Sequence, residues 1–225
     1  LVGITVTAAI FGTASAFSVI LALRYIPKGK SDELESSTGT SILEGISLIR
    51  RDKAVMWVIL TGGLTAFALQ GVLTSTLCRL IDVHTGGGIT LNGLAIGAAT
   101  LAGIFQALRW GWEPWLAPLT GRISDARFGW RRMFVFTTAS AAVCFALLAI
   151  PLSLAPWFAC ILCMQLTATA LTTVADAAAS DMAACTCGRA LLMNYALIVD
   201  VGSALGPIIA YALNAGFGIN AVYLF

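Results

Sequence analysis

Apolar residues run along this chain in long unbroken stretches separated by short polar turns. Residues 1–23, 55–77, about 91–118, 133–154, 156–175 and 190–213 form six such stretches, and another apolar run begins near Phe217. Each approaches or exceeds the roughly 20 residues that a helix needs to cross the ~30 Å hydrocarbon core of a bilayer. None alternates with period two, so strands are not expected. The pattern predicts an all-α, polytopic transmembrane helix bundle with six spans and the start of a seventh. Residues 1–23 are too long for a signal-peptide core and no basic segment precedes them, which makes them a span. The chain opens at Leu1 without an initiator Met and ends at Phe225 within an apolar run, and is expected to be a piece of a longer protein.

Composition sharpens the class. Of 225 residues, 59% are hydrophobic and 11% charged, where a soluble domain carries roughly a quarter charged residues. The partner implied is the lipid bilayer. A net charge of +2 without a basic tail gives no reason to expect a nucleic-acid partner.

Position matters more than total charge. Arg24, Lys28, Lys30, Arg50, Arg51 and Lys53 fall in the first connection, Arg122, Arg127, Arg131 and Arg132 in the third, and Arg189 in the fifth. Against them stand only Arg79 on the opposite side and Arg109 within a span. Basic residues gather at cytoplasmic loops, so the first, third and fifth connections are expected there. The expected location is a plasma membrane, such as the bacterial inner membrane, crossed many times.

The long polar connection, 24–54, contains KGKSDELESSTGTS and reads at first as a flexible linker. Ser41 and Glu44 then form a capping-box pattern, and Ile42, Ile46 and Ile49 share one helical face. Two readings stand: a short amphipathic helix on the membrane surface, or an extension of the next span.

Little in the sequence suggests catalysis. The six cysteines, Cys78, Cys144, Cys160, Cys163, Cys185 and Cys187, do not form the disulfide framework of a small secreted domain, and the Cys160/Cys163 pair within a span is read as packing. His84, the single histidine, is assigned to a solvated outer loop. There is no phosphate-binding GxxxxGK[ST] loop. No catalytic residue, metal site or cofactor is expected, and the chain is not read as an enzyme.

The most informative segment is GRISDARFGWRR, Gly121 to Arg132. It resembles the signature loop between the second and third helices of each half of the major facilitator superfamily: glycine, three residues, aspartate, a basic residue, then glycine and further basic residues. Here Gly121, Asp125, Arg127, Gly129, Arg131 and Arg132 carry the likeness. Gly129 follows Asp125 by four positions instead of three, and Trp130 stands where the first trailing basic residue is expected. In physical terms Gly121 would let two helix ends approach, and Asp125 would sit at a helix N-terminus that favours an anion. Two spans later, DVGSALGP places Gly202, Gly206 and Pro207 in a pattern similar to the family's glycine-proline helix, a groove of small residues followed by a bend.

The resemblance implies a placement. Residues 1–23 would be the last helix of the first half, 24–54 the central cytoplasmic linker, and 55–225 the second-half bundle with its final helix truncated. The partner would be the missing first half of the same protein. The implied function is secondary active transport of a small solute by alternating access, driven by protons. Proton-driven efflux of organic compounds, and a non-transporting membrane scaffold or sensor, are the other expectations.

Charges inside spans are costly and so nominate themselves as functional. Arg109 and Glu113 are spaced to form an ion pair on one helix face, either for proton coupling and substrate binding or for structure. Asp200 lies alone in mid-span and is a coupling candidate, with Arg109 as a possible partner across the bundle. Asp176 and Asp181 are expected to line an entrance or cap helices. Gln70, Gln106, Gln165 and Asn194 are candidates to face a central cavity. Trp110, Trp112 and Trp115 fit an interfacial belt or a stacking surface.

Overall fold

A computed structural model describes residues 52–91, 94–124, 129–185 and 188–223. The first predicted span and nearly all of the linker lie outside these residues, as do Asp125 and Arg127 of the loop motif.

Helix α1 runs Lys53–Thr85, well beyond the predicted 55–77. Asp52 starts it by accepting the Ala54 N–H at 2.8 Å, the usual work of an N-cap carboxylate. Midway, Phe67–Leu73 widens into a π-helical segment, and the Thr74 hydroxyl donates five residues back to the Leu69 carbonyl at 3.0 Å. Gly86, with φ of 68°, ends the helix in the left-handed conformation that glycine adopts without strain.

The next element corrects the sequence reading. Gly88–Leu91 (β1) and Leu94–Gly97 (β2) pair antiparallel, with Gly88 opposite Gly97. Strands were not expected here, and the helix placed over 91–118 instead begins at Ala98. The signal was present: Asn92 and Gly93 separate the strands, and Asn-Gly is the strongest short hairpin pair. It was masked by the apolar residues on either side.

The remaining helices are α2 (Ala98–Ile123), α3 (Gly129–Leu148), α4 (Leu154–Cys185), α5 (Gly188–Phe217) and the four-residue α6 (Ile219–Val222). Four of the helices are long and apolar enough to cross a membrane: α1, α4, Arg131–Leu148 of α3 and Ala190–Phe217 of α5. α2 is not among them, because Arg109, Glu113 and its indole and amide groups dilute its hydropathy. The described residues therefore contain four candidate spans, fewer than the sequence pattern predicted.

α4 is the hub, packing against α1, α2, α3 and α5. The larger core joins Trp157, Ile161, Met164 and Leu171 of α4 to Leu69, Leu73, Leu77 and Leu80 of α1 and Phe105 of α2. A smaller one joins Val55, Val58 and Ile59 of α1 to Ala179 and Ala183 of α4 and Leu191 and Tyr195 of α5. α2 and α4 both begin beside the end of α1, so they run in the same direction. Outward from these cores stand Trp57, Trp110, Trp115, Phe136, Ile208 and Phe217, all exposed. Water would penalise such a surface, whereas lipid would not.

Candidate functional site

Two features stand out from the apolar bundle: a seam of glycines and a row of buried polar groups. The seam lies between α1 and α5. A Cβ added to Gly71 would lie 2.7 Å from the Gly206 Cα and 3.0 Å from the Ser203 carbonyl oxygen. Gly202 meets the Gly63 carbonyl in the same way, Gly62 touches the Tyr195 ring, and Gly63 touches Ile198. Pro207 lies within α5 and has no N–H to donate four residues back. The carbonyl it leaves without a helical donor is that of Ser203, the one facing Gly71. Gly202, Gly206 and Pro207 thus sit against the π-helical middle of α1, a place where widened turns and freed carbonyls commonly mark adaptable backbone. Sequence reasoning missed the α1 half of this seam, Gly62, Gly63 and Gly71, because their spacing does not put them on one face of a regular helix.

The polar row lies on α2. Gln106, Arg109 and Glu113 recur at three and four residues, so they share a face with Trp112 beside them. Arg109 is only 4% exposed, and its Nε has no hydrogen-bond partner among the described residues. Nor do both Gln106 amide atoms, Trp112 Nε1 and Glu113 Oε2, each of them buried. The predicted Arg109–Glu113 ion pair does not form: no nitrogen–oxygen contact within 4.0 Å joins them. Arg109 lies 5.8 Å from the centre of the Trp110 ring instead.

α4 faces this row. The Phe105 and Phe158 rings meet at 5.6 Å, and seven residues further along the same helical faces come Trp112 and Gln165. Gln165 is wholly buried, and neither of its amide atoms has a partner among the described residues. By helical spacing, Phe105, Arg109 and Trp112 on one helix and Phe158 and Gln165 on the other fall along the two sides that meet at the Phe105–Phe158 contact. Unsatisfied buried polar atoms are rare in native proteins and each costs about 1–3 kcal/mol. Their concentration here makes this seam the candidate site.

The other candidates are scattered. Asp200 is exposed on α5 and pairs with no cation among the described residues, so the cross-bundle partnership with Arg109 is not formed. Gln70 is exposed within the π-helical segment. Asn194 is buried, but its amide donates to the Ala190 carbonyl of its own helix at 2.9 Å. Asp176 and Asp181 lie inside α4 and cap no helix; Asp176 accepts from the Tyr195 hydroxyl at 2.8 Å. His84 is not a solvated loop residue. It ends α1 stacked on Trp157, with ring centres 4.0 Å apart, and its Nε2 lies 3.0 Å from the Leu152 carbonyl.

Of the loop motif, Gly121 lies in the last turn of α2, with no atom among the described residues within 4 Å of an added Cβ. The close approach expected of it is thus not made by those residues. Gly129 opens α3 at φ of 70°, and Arg131 and Arg132 follow it exposed. Among the described residues no group of histidine, cysteine or acidic side chains is arranged to hold a metal. Comparison with family models, curated proteins and solved structures finds no match.

Proposed function

We propose that this chain is the second half of a secondary transporter of the major facilitator type, carrying a small polar solute by alternating access, with protons as the coupling ion. The reading is supported by one observation above the rest: a bundle otherwise built of apolar helices buries Arg109 and Gln165, and with them Trp112 Nε1 and Glu113 Oε2, with polar atoms left unsatisfied. A protein that only needed to pack in lipid would gain by replacing them with apolar residues. The likeness of Gly121–Arg132 and of Gly202–Pro207 to the family's loop and helix patterns supports the rest of the reading, including a cytoplasmic placement of the Arg131 end. Alternating access also requires helices that shift against one another, and the π-helical segment of α1 opposite Pro207 offers a place for it.

The test is uptake by the full-length protein in proteoliposomes under an imposed pH gradient, with a panel of small solutes. Gradient-dependent accumulation of a polar solute, lost in Arg109→Gln, is expected. Outward movement of organic compounds alone would turn the reading to efflux. A protein that moves nothing, and whose cellular role survives neutralisation of Arg109 and Glu113, would be a scaffold.

A further inference from the structure

The unsatisfied atoms along α2 are of opposite kinds. Arg109 Nε and Trp112 Nε1 are donors, Glu113 Oε2 is an acceptor, and each has less than 1 Å² of accessible surface. Arg109 and Glu113 stand one turn apart, a rise of about 6 Å, at the spacing where opposite charges ordinarily close on each other. They do not close: no contact within 4.0 Å joins them. Each of these opposite charges keeps one buried atom with an unmet demand for a partner.

The demand defines the ligand. A lone anion would satisfy Arg109 and bring a like charge up to Glu113. A lone cation would do the reverse, and a neutral polyol would leave both charges uncompensated. A solute carrying a carboxylate and an ammonium a few ångströms apart satisfies both without changing the net charge of the site. We propose that the α2–α4 seam binds a small zwitterion of the amino-acid or betaine type, its carboxylate on Arg109 and its cationic end on Glu113. Trp112 supplies an indole N–H from the same helix, and Gln165, one heptad beyond the Phe105–Phe158 contact, supplies an amide that can donate and accept. The inference rests on the transport reading and names the class of solute that it would carry.

The experiment measures thermal stability and uptake of the full-length protein with seven probes at equal concentration: alanine, phenylalanine, glycine betaine, propionate, propylamine, trimethylamine and glycerol. At least one of the three zwitterions is expected to raise the melting temperature by several degrees and to be accumulated, while the singly charged and neutral probes do neither. Glu113→Gln should move the preference toward propionate, and Arg109→Gln toward the amines, each with about tenfold weaker zwitterion binding, a change of ~1.4 kcal/mol. Conservation of the zwitterion preference in both variants would overturn the assignment. Protection and uptake of propionate or an amine alone by the unsubstituted protein would overturn the solute class and leave the transport reading standing. Uptake of none of these, nor of any solute in a wider panel, would remove the transport reading itself.

Discussion

Gly71 and Gly206 meet backbone to backbone, with the Gly206 Cα 2.7 Å from the position a Gly71 Cβ would occupy. Neither can gain a side chain unless α1 and α5 move apart. Gly206→Ala, and more so Gly206→Val, should therefore destabilise the protein by about 1–3 kcal/mol through overpacking. Gly103 and Gly111 of α2 have no atom of the described residues within 4 Å of an added Cβ. The same change there should be neutral or stabilising by up to ~1 kcal/mol, because alanine is the better helix former. Thermal unfolding in detergent separates the two, and equal behaviour at Gly206 and Gly103 would mean the seam is not tight.

What the sequence could convey follows from how each feature is encoded. Long apolar runs announce helices, so α1, α3, α4 and α5 were legible, with ends displaced because polar residues extend a helix beyond its oily middle: α1 continues through Thr85. The hairpin was hidden inside an apolar run, and only Asn92-Gly93 betrayed it. Gly202 and Gly206 could be singled out by spacing, but Gly71 as their counterpart could not, since pairing between helices is written nowhere in local pattern. The same limit explains why Arg109 and Glu113 stood out while the layer that sets Gln165 beyond the Phe105–Phe158 contact did not. His84 was misread because loop and helix end differ by the position of one glycine, Gly86.

The His84–Trp157 stack clamps the connection between α3 and α4 to the end of α1. Trp157 is fully buried, and its indole N–H donates to the Leu148 carbonyl at 3.3 Å, while His84 engages Leu152. His84→Ala removes a stacked ring and a hydrogen bond, and should cost about 2 kcal/mol. Trp157→Ala should cost about 3–5 kcal/mol. Melting curves that place His84→Ala level with the parent protein would show that the stack contributes nothing.

Tyr195 ties three helices at the opposite end of the bundle: its ring covers Gly62 of α1 and its hydroxyl donates to Asp176 of α4. Tyr195→Phe keeps the ring and deletes the hydrogen bond, at an expected cost of about 1 kcal/mol. A double-mutant cycle with Asp176→Asn isolates the pair, and its coupling energy should be of the same size. Coupling indistinguishable from zero would assign Tyr195 to packing alone.

The proposed orientation makes a labelling prediction. Cys185, at the last residue of α4, is exposed and lies at the end of the bundle that the basic turns occupy; Ser153, just before α4, is exposed at the other end. In a background with no other cysteine, a membrane-impermeant maleimide added to intact cells should label Ser153→Cys and spare Cys185. The excess of Arg and Lys at the Cys185 end gives the sign. Labelling of both positions from one side would mean that α4 does not cross the bilayer.

Arg109 and Glu113 offer the sharpest separation of function from architecture. Buried charges that do not pair destabilise the fold that holds them, and apolar or neutral replacements of similar size commonly raise stability by about 1–4 kcal/mol. The double variant Arg109→Leu/Glu113→Gln removes both charges together, so neither is left without the other. If the pair serves a solute, this protein should melt at a higher temperature than the parent and lose transport by about a hundredfold or more, equivalent to ~2.7 kcal/mol. A structural pair predicts the opposite combination, lower stability with activity per folded molecule retained. The two readouts move in opposite directions under the two explanations, because the strain of an unsatisfied site is tolerated only where binding or catalysis repays it.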